Sequence, residues 1–282
     1  MSDPDLWDAA FGRTPGADPF RPPRTPGDAW LAGVALGGRG HYAAAVARLV
    51  PLLTDRDPVL VALAAAALGS HRRQLGGHAA ARVLDGRGLA ALARAPADHP
   101  RLPEARSDVL LGLAADAVGL GRTAQARSLT AAEADGPDPG WRGRIRRGWL
   151  AAEVELGAGR AAAALDPARA AHAAAVDSGS TRHRVKSAMV LGATLAALGA
   201  GAEALPLVTG ALGDAGEAGL LPLRWPCLLL LAALDPAAAA RHAEAAERAL
   251  HCVLRHADPR GREVAVASPW VPTSDFVVGP NR

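Results

Sequence analysis

The sequence predicts an all-α protein, and three observations carry that prediction. Half of the 282 residues are hydrophobic yet only 4% are aromatic, so the apolar content is mostly Ala and Leu. These two residues head the helix-propensity scale because they give up little rotamer freedom in a helix. β-Branched residues, which sheets favour, are sparse. From about residue 28 onward, one helical pattern follows another, cut by short turns bearing Gly or Pro.

In chain order, residues 1–27 form a Pro/Gly-rich tail. The breakers Pro15-Gly16, Pro22-Pro23 and Pro26-Gly27 leave room only for a short helical turn at Asp5 to Phe11. Residues 28–257 make up the helical body. Residues 258–282 read as an extended tail, since Glu263-Val264-Ala265-Val266-Ala267 alternates and Pro269, Pro272 and Pro280 follow.

The helical body is periodic. Leu31-Ala32-Gly33-Val34-Ala35-Leu36 leads to Gly40-His41-Tyr42, then Ala45 and Leu49. A glycine ends a helix by accepting the left-handed conformation, and a small Ala lets the next helix approach closely. The same Gly and Ala, five residues apart, recur at Gly76/Ala81, Gly121/Ala126, Gly157/Ala162 and Gly199/Ala204. This text resembles the tetratricopeptide repeat (TPR), although the turn glycines lie further apart than the family period of about 34 residues. The resemblance implies a right-handed superhelical solenoid of about five to six irregular TPR-like helix pairs over residues 28–257, with non-helical tails. It also implies a protein-binding scaffold.

The chemistry-bearing motifs point away from catalysis. Lys186, the only lysine, lacks the glycines of a phosphate-binding loop, and no HExxH is present. His251 and His256 are five apart, which puts them on different helix faces, so no metal site is expected. Cys227 and Cys252 have no metal-type spacing and read as buried small hydrophobes. The expectation is a non-enzyme with no catalytic residues, no metal and no cofactor. The net charge of +3 is too mild to argue for nucleic acid. The acidic start Met1-Ser2-Asp3-Pro4-Asp5 has no apolar run, and the most apolar stretch, Leu228 to Leu234, is far short of the ~20 residues that cross a bilayer. A cytoplasmic protein away from membranes is expected.

One constellation is both basic and aromatic: Trp141-Arg142-Gly143-Arg144-Ile145-Arg146-Arg147-Gly148-Trp149. In the family, first helices line a concave groove. Counting back from the turn glycines places Arg73, Arg144, Arg147 and Lys186 on that face, flanked by Trp141 and Trp149. Arginine forks pair carboxylates bidentately, so the expected partner is a protein or acidic peptide. The tails hold a second clue. Trp7, Phe11, Trp270 and Phe276 lie outside the helical body, where unstructured chain is usually poor in aromatics. They are expected to dock, either back onto the array as caps or onto another protein. The function expected is an adaptor or scaffold; the alternative is the regulatory or sensor module of a transcription or signalling system.

Overall fold

The computed structural model describes residues 3–12 and 18–272, and these contain fourteen α-helices and no strand. Twelve of them form six consecutive antiparallel pairs. The first helices are α2 (Pro26–Gly38), α4 (Pro58–Gln74), α6 (Leu102–Gly119), α8 (Gly140–Gly157), α10 (Thr181–Ala197) and α12 (Leu221–Leu234). Their partners are α3 (Tyr42–Leu49), α5 (His78–Leu92), α7 (Thr123–Ala134), α9 (Ala161–Ser178), α11 (Gly201–Glu217) and α13 (Ala239–Arg255). Each first helix packs on its partner and on the next first helix, so the first helices form one layer and their partners another.

The turns explain this regularity. Gly40, Gly76, Gly121, Gly159 and Gly199 all have positive φ. At each, the following residue's N–H reaches back five residues, as His41 does to the Leu36 carbonyl (2.9 Å) and Gly77 to Arg72 (2.9 Å). Five residues past each glycine lies a wholly buried alanine: Ala45, Ala81, Ala126, Ala164 and Ala204. The fourth repeat therefore differs from the sequence reading. Gly157 is still helical, the turn glycine is Gly159, and Ala162 is exposed. Gly157 and Gly159 flank Ala158, and only the left-handed Gly159 sets the frame.

Both tails carry a helix, against the expectation of non-helical ends: the first lies where the sequence left room for a short turn, and the second was not expected. Asp3 caps α1 (Pro4–Phe11) by accepting from Asp5 and Leu6 N–H groups. At the other end, α14 (Pro259–Val266) replaces the expected extended run. Asp258 accepts from the Gly261 N–H and Pro259 opens the helix, a strong start signal that outweighs five alternating residues. The helix buries Gly261 and Ala265, four apart on one face.

The last part of the array meets the first. Tyr42 and Leu75 share a core with Trp225, Leu250, Leu254 and Val271. The Ala43 N–H donates to the His256 carbonyl (2.8 Å), and Ser268 Oγ donates to the Gly76 carbonyl (3.1 Å). Arg72 donates a two-pronged pair of bonds to Asp258 (2.8 and 2.9 Å). No single helix among the described residues is long and apolar enough to cross a membrane. Cys227 is buried as expected, but Cys252 is exposed.

Candidate functional site

The inner layer of first helices carries an unusual load of charge. In the outer helices α9 and α11, the stripe facing inward is small and apolar: Ala164, Ala168, Ala171 and Ala175, then Ala204, Val208, Ala211 and Ala215. In α5 the second position of that stripe is Asp85, and in α7 the third is Glu133; they are 0% and 1% exposed. Each needs a partner, because an unpaired buried charge is costly. Glu133 accepts from Ser107 Oγ (2.7 Å) and from Arg147 (2.5 and 3.1 Å). Asp85 and Asp116 share Arg73, and Gly112 leaves the space: a Cβ there would lie 2.6 Å from Asp85 Oδ2. Burial pushes the Asp85 carboxyl up to about 7, with Asp116 adding to the rise against the pull of Arg73.

A ladder of charge continues around the layer. Glu104 and Asp108 on α6 face Arg142 and Arg146 on α8, one helical turn apart on each. On α10 the equivalent positions are Arg182 and Lys186. Lys186 pairs with Glu153 (2.8 Å). Arg182 has no carboxylate within ion-pairing distance among the described residues. Burial draws its pKa down to about 10, and Arg142 and Arg146 push the same way.

Between α8 and α10 lies an aromatic nest. His183 stacks on Trp149 (5.5 Å between centroids) and meets Trp141 edge-on (4.9 Å). Its Nδ1 is 2.8 Å from Ser180 Oγ. Burial, with the nearby Arg142 and Arg182, holds His183 neutral far below its ordinary range. Trp149 Nε1 donates to Ser187 Oγ (2.7 Å). A second buried histidine, His71, stacks on Tyr42 (5.2 Å), and burial lowers its pKa to about 3.

Onto this nest comes α1. Phe11 packs on Trp30 (5.6 Å) and His183 (6.5 Å), and the Arg142 guanidinium lies 4.0 Å from its ring centroid. The Gly12 carbonyl accepts from the Thr181 N–H at the start of α10 (3.3 Å). So α1 bridges α2, α8 and α10, which are far apart in sequence. A cap stacked on the end of the array would touch only the first pair.

The expected groove residues end up in different places. Arg73 is interior, clamped on two carboxylates that hold its pKa above the ordinary arginine value despite burial. Arg144 is exposed and pairs with Asp138 (2.7 Å), while Arg147 is spent on Glu133. The two-residue frame shift explains this: counted back from Gly159 instead of Gly157, the inward positions are Arg146 and Trp149. Trp141 and Trp149 do line the nest. Of the tail aromatics, Phe11 docks, Trp7 rests edge-on against Phe11 (5.0 Å) but stays 39% exposed, and Trp270 is mostly exposed beside His78. Phe276 lies outside the described residues. Sequence reasoning missed Arg142, Arg182 and His183. The signal was present, since Arg142 and Arg182 stand seventeen residues before Gly159 and Gly199.

Comparison with protein-family models gave no match, and comparison with curated proteins gave none either.

Proposed function

We propose that this chain is a TPR-like helical array that holds a protein partner, acting as an adaptor or scaffold in the cytoplasm rather than as an enzyme. The observation that carries this reading is α1 itself. The inner face of the array grips a short amphipathic helix by one aromatic anchor, with a cation over its ring, which is a recurring way of recognising a helix. The chemistry around it favours holding over reacting. His183 is packed between indoles and Phe11, and the arginines of α8 are committed to carboxylates. Such groups give shape and charge without a free acid or base.

The test is photo-crosslinking in the native host. A photoreactive phenylalanine analogue replaces Trp7, which sits half-exposed at the edge of the nest. A discrete protein adduct, absent when the analogue is placed at exposed Val83 on the outer layer, is expected. Adducts only with nucleic acid, or the same adducts from both positions, would overturn the reading.

A further inference from the structure

We propose that a small cavity beside the start of α10 binds one monatomic anion of the halide class, held by the Arg182 guanidinium. This goes beyond the protein-holding reading and does not rest on it.

The charge ladder of the inner layer runs out of acids at α10. Its two rungs are Glu104 and Asp108 on α6, Arg142 and Arg146 on α8, and Arg182 and Lys186 on α10. The basic rungs of α8 answer the acidic rungs of α6. Between α8 and α10 the rungs are cationic on both sides. Lys186 turns aside to Glu153 (2.8 Å). Arg182 has no such partner: its guanidinium makes no hydrogen bond and no ion pair among the described residues.

The groups that could neutralise it are already engaged. Asp108 accepts from Arg142 (3.0 Å) and pairs with Arg146. The Tyr42 hydroxyl donates to Gln74 (3.1 Å), and burial pushes its pKa up, so it stays an uncharged phenol. Asp8 on α1 folds back over the end of its own helix, where a Cβ on Gly12 would lie 1.7 Å from its Oδ1, and it has a partner of its own. The contrast with Arg73 is direct. Two carboxylates raise the pKa of Arg73, whereas burial and two neighbouring arginines lower that of Arg182.

The space beside Arg182 suits one small guest. Arg182 and Thr181 line a cavity of about 10 Å³ together with residues of α1, α2 and the turn before α12. A volume of that order admits a single water-sized particle. On the α2 side the guanidinium lies over Gly38, where a Cβ would be 3.5 Å from its Nη1. The described walls hold no carboxylate, and their one other charged residue is a second cation, Arg39, which has Asp18 nearby. A water there would accept a hydrogen bond but leave the charge uncompensated, and an uncompensated buried charge is costly. A halide does both. Sulfate and phosphate are too large for a one-water space. The dipole of α10 adds to the attraction, since Ser180 gives this helix no side-chain cap. Because its walls come from α1, α2, α10 and the turn before α12, a bound anion would also fasten α1 to the first, fifth and sixth pairs.

The test is chloride-35 NMR on the full chain, which reads bound chloride as broadening of the free-ion line. Broadening that bromide removes by competition, and that falls at least twofold in Arg182→Gln, is expected. Arg144→Gln, which changes an exposed arginine paired with Asp138, should leave it intact. Circular dichroism confirms that each variant is folded. If Arg182→Gln does not fold, wild-type crystals soaked in bromide decide the matter through an anomalous peak beside the Arg182 guanidinium. Undiminished broadening in Arg182→Gln, equal loss in Arg144→Gln, or no bromide peak beside Arg182 would overturn the site. Sulfate competing as well as bromide would overturn the monatomic class and the proposal with it.

Discussion

At the scale of single residues, the interior is a balance of titrations. His71 and His183 are held neutral by burial and by neighbouring arginines. Their folded pKa values lie below that of an unfolded histidine, about 6.5. As pH falls below that value the unfolded chain takes up protons that the folded chain refuses, so stability is lost. Asp85 works in the opposite sense. Its folded pKa is raised, so its contribution is present at low pH and lost as pH rises toward about 7. Burial lowers His41 and His172 as well, so histidines outweigh the one carboxyl and the folded state should weaken from pH 6.5 to pH 5 by at least about 1.4 kcal/mol per unit. Urea midpoints across that range check it, and His183→Phe should flatten the slope; a midpoint that rises on acidification would refute the assignment. Space is as tightly set as charge. A Cβ on Gly37 would sit 1.8 Å from His71 Nε2, and His71 cannot retreat. Gly37→Ala should cost about 1–3 kcal/mol, the usual range for overpacking, by chemical denaturation.

At the scale of elements, caps decide where the chain turns and which segments become helices. Asp258 both caps α14 and receives Arg72, which is 8% exposed. Asp258→Ala removes a cap worth about 1 kcal/mol and strands a buried cation, for a total loss of roughly 3–5 kcal/mol. Hydrogen exchange in α14 should rise to solvent rates in this variant; if α14 stays protected, the cap is not what forms it. The helical pairs themselves were legible in the sequence, because Gly turns and Ala crossing points are local signals with a local cause. Residues 258–267 were misread because alternation over five positions is weaker than an Asp-Pro start. The candidate site was only partly legible. Its aromatics were found, but its arginines were displaced by the choice of Gly157 over Gly159, since neither backbone sign nor register is written in two glycines set two residues apart. The pairing of Arg142 with Asp108, thirty-four residues away, follows from that register and could not precede it.

At the scale of the whole molecule, the meeting of the ends sets the cooperativity. In an open helical array each repeat touches only its neighbours, and trimming one end leaves the other undisturbed. Here Tyr42 and Leu75 share their core with Leu250 and Leu254, and Arg72 depends on Asp258. A chain lacking residues 239–272 should therefore lose hydrogen-exchange protection in α3 and α4 as well as in α12. Protection lost in α12 alone would mean the ends are not coupled. The contact between Gly40 and Pro222, where a Cβ would find the proline ring at 3.5 Å, bears on how such a protein can diverge. Open arrays lengthen or shorten over generations by copying or dropping whole repeats. A chain whose sixth pair must return to its first has no such freedom, because one pair more or fewer would carry Pro222 and Asp258 away from their partners. Its number of repeats is fixed by geometry, and variation is left to the segments that join the pairs.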